Sequence, residues 1–496
     1  MLTRELLRRE WTAFRRPGRL IALAAAALAV IASGLLHAFG SQVSCDGPCP
    51  AAPVAADGSA VGDHFWFLHR GLGPDGVITV RMTSMSGTIT YPPPHHDRIV
   101  PGLVPWAKAG IIVKDGVRPG SSYAALMMTG EHGVRMQHDY RHDIAGSPGG
   151  LSPRSPRWLR LARSGDTVTG SESADGRTWR TVGTVRLAGL PETVRVGLFA
   201  ASPGDLTLRE VGLGGTVEQV RFTQATGVFD HVTVEGSPGG SWRSEAVGGG
   251  MNHTDWEKHH NASGAVEKDG VITVSGTGDI GPGGGEGAFS AERTLSGLLI
   301  ALIIVLVLAA RFGARPDGPE TRGVLAARAA ALGAATFATV LAAACVALPA
   351  GLAILSGKGV PVQQVSPPTG ARVVIGVAAV LALCALLAYG LGLLTRRGPV
   401  AALLALALVA VPYAVTAVPL LPDAVSQWLL RLTPAAGFAV QQTAVEYPQV
   451  IAHYAPSAGY FPLPGWAGFA VLCAYTLAVL WPAVTRTPAD RPADRR

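Results

Sequence analysis

Two short histidine-rich stretches are the natural first place to look for chemistry. "HDYRHD" sets His138, Asp139, His142 and Asp143 within six residues, and "HHDR" adds His95, His96 and Asp97. Imidazole and carboxylate together suit a first-row metal. Exposed loops also collect such residues, and no four-ligand zinc spacing occurs, so no metal site is expected. Trp66, Trp106, Trp158 and Trp179 offer flat faces for stacking on sugars, although tryptophans in β-sandwiches more often fill the core. Trp66, His138, Asp139 and His142 are retained as candidate ligand-binding residues. A glycosidase needs two carboxylates about 5–5.5 Å or about 6.5–9.5 Å apart across a cleft. Asp and Glu are numerous here, but no paired motif stands out. Asn261-Ala262-Ser263 matches a glycosylation sequon, a weak signal alone.

The chain carries no nucleotide site of its own. A phosphate-binding loop needs G-x4-G-K-[ST], so that backbone amides and the lysine cradle phosphates. The nearest string, "GLAILSGKG", has five intervening residues and Gly359 in place of Ser or Thr. No cofactor is expected, and ATP hydrolysis, if used, belongs to a separate subunit. The chain itself is not expected to be an enzyme.

These residues sit in a chain of 496 residues that is 48% hydrophobic and only 15% charged, against about 25% charged in soluble proteins. The net charge of +7 is unevenly spread: Ser41 to Arg293 carries −4, and the remainder +11. Base-rich sequence flanking apolar runs points to a membrane surface. No basic stripe interleaved with aromatics is present, so nucleic acid is not an expected partner.

A bilayer core takes about 20 mainly apolar residues per helix. Six segments qualify, at roughly 20–40, 295–311, 327–355, 373–395, 400–421 and 466–484, with Pro349 expected to bend or end the third. Sixteen arginines fall on one side of these spans: Arg4, Arg8, Arg9, Arg15, Arg16 and Arg19 before the first, and Arg311, Arg315, Arg322 and Arg328 after the second. Arg396, Arg397, Arg486, Arg491, Arg495 and Arg496 complete that set. Short loops on the other side hold only Lys358, Arg372 and Arg431. The positive-inside rule then places both termini in the cytoplasm and the polar insert outside. A cleaved signal peptide at "HAFG" is the alternative for the first span, but the lead-in and apolar run are long for one. Cys45 and Cys49 in "CDGPC" lie just outside the first span, where an oxidising compartment favours a small disulfide loop.

The insert reads as all-β. "DGVITVRMTS" alternates, "GIIVKDG" and "VRVGLFAAS" are apolar runs, and "SGDTVTGSESADGRTWRTVG" is a hairpin hinged at Asp175-Gly176. "DGVITV" occurs at both Asp75–Val80 and Asp269–Val274, read as a recurrent turn-plus-strand rather than a duplication. "WAKAGIIVKDGVRPGSSYAALMMTG", "GDTVTGSESADGRTWRTVGTV" and "VRVGLFAAS", in that order, resemble bacterial concanavalin A-like lectin/glucanase (laminin-G-like) domains. The resemblance covers about 170 residues and implies a jelly-roll of two antiparallel sheets. It implies no particular ligand, because that fold hosts many functions.

The amino-terminal "LTRELLRREWTAFRR" has helical spacing, with Leu7, Trp11 and Phe14 on one face. It suits a helix lying on membrane lipid at the inner interface, with its tryptophan buried. "LLRREWTAFRR" resembles the opening of permease subunits of type 2 ABC exporters. "RGVLAARAAALGAATFATVLAAACVALPAG" and "WLLRLTPAAGFAVQQTAVEYPQV" resemble the same family in its actinobacterial form. What this implies is a six-span permease in a bacterial plasma membrane, paired as a homodimer or with a second permease, driven by a separate ABC ATPase. On that resemblance Arg8, Arg9, Glu10, Trp11 and Arg322 are the candidate ATPase contacts. The loop "RFGARPDGPETRGVLAAR" is shorter than the family's usual inner segment, and the outer insert is larger. The alternative is a membrane-anchored binding or sensing protein whose sandwich takes a surface glycan or protein while the spans do not transport.

The expected architecture is therefore an α-helical polytopic membrane protein with an inserted β-sandwich. It divides into a cytoplasmic amphipathic helix (1–19), a first span (20–40), a lectin-like sandwich (41–235) and a Gly-rich β-appendage (236–293). A five-helix membrane region (294–484) and a cytoplasmic tail (485–496) follow.

Overall fold

The computed structural model describes residues 4–41, 53–57, 59–91, 98–236, 238–252, 254–283, 291–315, 321–360, 362 and 365–485. Cys45, Cys49, His95, His96 and Asp97 lie outside the described residues.

The insert folds as a β-sandwich. Its larger sheet has nine strands, including Asp75–Thr90, Arg157–Ser164, Thr167–Ser173, Arg180–Arg186, Gly215–Glu235 and Val271–Gly276. The other sheet has seven, with Lys108–Lys114 and Tyr123–Thr129 near its centre. All recorded strand pairings are antiparallel, which lets one face of the larger sheet stay polar. Ile78, Val80, Met82, Leu159, Leu161 and Phe229 on that sheet meet Ile111, Val113, Leu126 and Leu198 across the core. The smaller sheet is covered on its far side as well, by a second cluster that includes Phe65, Phe67, Tyr123, Tyr140 and Phe199. This double burial explains why Lys108–Lys114 and Tyr123–Thr129 read as continuous rather than alternating apolar runs.

The hairpin expected at Asp175-Gly176 is present. Asp175 accepts the backbone N–H groups of Arg177 and Thr178, and Gly176 has φ 73°, a turn conformation suited to glycine. Those bonds hold the exposed Asp175 carboxyl well below its ordinary value. The described residues of 236–283 are built into the sandwich and not into the separate Gly-rich appendage expected there. Pro238–Val247 pairs with Phe65–Leu72 at the edge of the seven-stranded sheet, and Val271–Gly276 pairs with Gly215–Glu235 in the nine-stranded one. Ile280–Pro282 closes a two-stranded ribbon with Val61–Asp63. Glycine-rich turns there connect strands of the sandwich itself.

Among the described residues, five helices are long and apolar enough to cross a membrane: Pro17–Gly40, Arg322–Gly357, Pro367–Thr395, Gly398–Thr416 and Gly465–Thr485. The sixth expected segment is a shorter apolar helix, Leu298–Ala314, of 17 residues. Leu302, Val305, Leu306 and Ala309 of this helix are buried against the others, inside the bundle. Pro349 does not end its helix, which runs on for eight residues to Gly357. Between Thr416 and Gly465 lie an amphipathic helix, Asp423–Leu432, and a 3-10 segment, Pro434–Gln441, in which all eight residues are buried. "WLLRLTPAAGF" is thus a surface helix carrying exposed Trp428, followed by a chain segment packed against Gly465–Thr485.

Candidate functional site

Three places bring functional side chains together. The first is the basic end of the bundle. The helix Arg4–Phe14 turns Glu10 and Phe14 inward, a spacing of four residues that puts both on one face. Glu10 Oε2 accepts from Arg328 Nε at 3.0 Å, with each side chain only 8% exposed. Phe14 meets Phe312 edge-on at 5.5 Å, and the Arg19 guanidinium sits 4.3 Å from the Phe312 ring centre. Arg8, Arg9 and Trp11 point outward. Arg322 donates from Nη2 to the Thr485 carbonyl at 2.9 Å, tying the helix Arg322–Gly357 to Gly465–Thr485. The five candidates therefore divide. Glu10 and Arg322 hold the helices together, while Arg8, Arg9 and Trp11 are free-facing. The expected seam of Leu7, Trp11 and Phe14 differs from the packed face, which is built on Glu10 and Phe14, because a buried arginine supplies the carboxylate's partner.

The second place is the outer face of the nine-stranded sheet. Arg81 makes a two-pronged pair with Asp230, Nε to Oδ1 at 2.7 Å and Nη2 to Oδ2 at 2.6 Å. That pairing holds the Asp230 carboxyl below its usual value. Trp158 meets the ring of His231 at 5.4 Å, and Arg160 lies 3.7 Å over Trp179. The register slips between Asp230 and Thr233, and His231 has φ 48°, so a bulge aims its ring at Trp158. The earlier ligand candidates lie elsewhere. Trp66 donates to Ser244 Oγ at 2.9 Å and packs against the core. His138 and His142 stack at 4.4 Å across a tight turn whose Asp139 and Tyr140 have positive φ. Asp143 is taken by Arg135 at 3.0 Å, and no group of three metal-ligating side chains occurs among the described residues. Asn261 is buried, its side-chain oxygen 3.2 Å from the Thr88 hydroxyl, so the sequon is not presented to solvent.

The third place joins sandwich to bundle. The hairpin of Asp205–Val211 and the start of Gly215–Glu235 reaches down to the segment after Thr416. Asp423 Oδ2 accepts from the Thr216 hydroxyl at 2.9 Å and lies 2.7 Å from His453 Nε2. Glu218 accepts the His453 backbone N–H at 2.9 Å, and Leu213 N–H bonds the Leu420 carbonyl. Gly215 makes the seat possible, since a Cβ there would lie 2.1 Å from the Pro419 carbonyl oxygen. Thr216 and Asp423 both meet the same imidazole nitrogen, so the cluster is a fastening and not a proton relay, which needs the two ring nitrogens engaged separately. Arg141 adds a second tie through its carbonyl, which accepts from Gln449 at 3.0 Å.

Below this junction is a cavity of about 310 Å³ between the helix ends. Its polar lining includes His37, Glu292, Arg293, Tyr413 and Gln441, set among Leu295, Leu299, Leu430 and Phe461. Gln441 donates to the Tyr413 hydroxyl at 3.0 Å, and Thr443 donates to Glu292. No sequence motif marks this cavity, because its lining comes from seven separate elements.

No protein-family profile matches this sequence, and no curated protein does. Among solved structures, a functionally unknown protein from Saccharomyces cerevisiae is 16% identical, over 35% of this chain and 75% of that one, at a TM-score of 0.21. SCP-B, a member of the eqolisin family of peptidases solved with a tripeptide, is 7% identical over 44% of this chain and 98% of its own, at 0.27. The GH43 protein BlXynB from Bacillus licheniformis is 14% identical over 33% of this chain and 28% of its own, at 0.21. At such scores these likenesses bear on neither activity nor ligand.

Proposed function

We propose that the chain is the permease subunit of an ATP-driven exporter of the type 2 ABC class, with six spans, both termini cytoplasmic and the sandwich outside. The observation that carries this reading is the docked amino-terminal helix. Glu10 and Phe14 fix it to Arg328 and Phe312, and Arg8, Arg9 and Trp11 are left facing away from the bundle at its most basic end. A helix held this way transmits a push from a cytoplasmic partner into the two helices it touches. The 17-residue helix Leu298–Ala314 counts as the sixth span, at about 25 Å near the lower length limit. ATP binding falls to a separate subunit, and two copies of this chain would complete the pathway.

A second reading has a specific observation in its favour. The bulge at Asp230, the Trp158–His231 contact and the Arg160–Trp179 stack give the sandwich an aromatic and charged outer face suited to a glycan or peptide. On this reading the chain recognises a surface ligand and the helices only anchor it.

Charge reversal separates the two. Arg8→Glu with Arg9→Glu, in tagged chain purified from its native membrane in mild detergent, is expected to abolish co-purification of an ATPase that the unaltered chain retains. An unaltered chain that purifies without any ATPase supports the anchored binding module instead.

A further inference from the structure

The cavity beneath the sandwich has the composition of a headgroup site. His37 lies in the last turn of Pro17–Gly40, Leu299 in the first turn of Leu298–Ala314, and Thr416 at the end of Gly398–Thr416. All three mark the sandwich-facing ends of apolar helices of the bundle, two of them long enough to cross a membrane, which on the proposed orientation is the depth of lipid headgroups. Glu292 and Arg293 are adjacent in the 3-10 turn Ala291–Leu295 and both line the space, so an anion-accepting and a cation-accepting group stand side by side. Apolar side chains of Leu295, Leu299, Leu430 and Phe461 complete the wall. The volume, about 310 Å³, is at the small end for organic ligands and fits a headgroup with its first methylenes rather than a whole lipid.

The wall is also anchored from above. Leu430 belongs to the helix that begins at Asp423, and Pro456–Gly459 follow His453 by a few residues. Asp423 and His453 are the two membrane-side residues fastened by the Thr216 hairpin. The sandwich thus holds in place the segments that close the cavity.

We propose that this cavity binds the headgroup of a zwitterionic amphiphile, with its ammonium at Glu292 and its phosphate at Arg293. The assignment uses the outward orientation proposed above but does not depend on transport or on an ATPase. Its test is equilibrium photolabelling of the full chain in phosphatidylglycerol vesicles, using a phosphatidylethanolamine whose acyl chain carries a diazirine near the glycerol. Adducts are expected to concentrate on peptides spanning 411–417, 430–441 and 456–461, and to fall with excess unlabelled phosphatidylethanolamine. Glu292→Gln is expected to lower them about tenfold, the loss of one charge-assisted hydrogen bond. Leu299→Trp, which fills the apolar wall and keeps both charged side chains, is expected to lower them as well. A phosphatidylglycerol probe, which lacks the ammonium, is expected to label these peptides about as weakly as the Glu292→Gln chain is labelled by the first probe. Adducts spread over lipid-facing positions such as Leu28, Ile375 and Trp481, with no preference for the cavity, would overturn the site. Equal labelling by the two probes would overturn the zwitterion assignment. If labelling is as expected and no ATPase co-purifies, the site stands and the permease reading falls.

Discussion

Replacing Glu10 by Gln should release the amino-terminal helix. Glu10 and Arg328 are both almost fully enclosed and 3.0 Å apart, so the substitution replaces a charged partner of a guanidinium held in a dry site by a neutral one. Removing one member of such a pair costs about 3–5 kcal/mol. Glutamine keeps an oxygen acceptor of the same reach, which places the cost near the lower bound, about 3 kcal/mol. That shifts the balance between docked and released helix by roughly a hundredfold. The event can be followed with cysteines at Leu6 and Gly323, since a Cβ on Gly323 would lie 3.4 Å from Leu6 Cδ2. A short thiol crosslinker should join the two efficiently in the parent chain and at least about tenfold more slowly in Glu10→Gln. Glu10→Met with Arg328→Met, which removes both charges and fills the space, should crosslink close to the parent rate. Crosslinking of Glu10→Gln at the parent rate would refute the claim that this ion pair seats the helix.

Other expectations concern the sandwich. Lys114 is wholly buried, donating to Asp63 Oδ2 and to the Tyr140 hydroxyl, each at 2.8 Å, and burial lowers its pKa despite the Asp63 charge. Asp63→Leu alone should lower the melting temperature of the sandwich by about 6–20 °C, while Asp63→Leu with Lys114→Met should recover most of it, read by tryptophan fluorescence. His69 is enclosed beside Glu245 at 2.8 Å, and burial holds its imidazole below the ordinary value. The unfolded chain therefore binds more protons than the folded one as pH falls through about 6.5, so stability should drop on acidification through that range. His69→Gln should make that acid-side slope shallower in melts taken across it. Gly215→Val should unseat the hairpin from Pro419, seen as faster amide exchange at Leu213 and His453 with the two sheets still protected.

Sequence patterning located what depends on local periodicity. The apolar helices, the strands and the Asp175-Gly176 turn all follow from short-range spacing, and each is present close to its expected place. The repeated "DGVITV" shows where local reading stops. At Asp269-Gly270 the pair forms a turn with both φ values positive, whereas Asp75-Gly76 lies within a strand, pressed against Leu72 and the Glu235 carbonyl. The two copies flank the same strand, Gly215–Glu235, and tertiary pairing decides which conformation each adopts. Glycine content in 236–293 suggested a separate appendage because it obscures alternation, yet Gly248, Gly249, Gly250 and Gly270 sit in turns between strands that pair into the main sheets. Glu10 was legible as charged but not as buried, since its partner Arg328 lies 318 residues away. The fastening of Thr216, Asp423 and His453 likewise joins residues from opposite halves of the chain, with no motif to announce it.

The central claim is that this chain works with an ATP-hydrolysing partner. The direct measurement is ATP hydrolysis by the tagged chain purified from its native membrane in mild detergent, with the stoichiometry of any bound subunit determined on the same sample. The account predicts a stoichiometric ATPase with turnover, lost when Arg8 and Arg9 are both reversed to Glu. A pure, folded chain with no bound ATPase and no hydrolysis would contradict it.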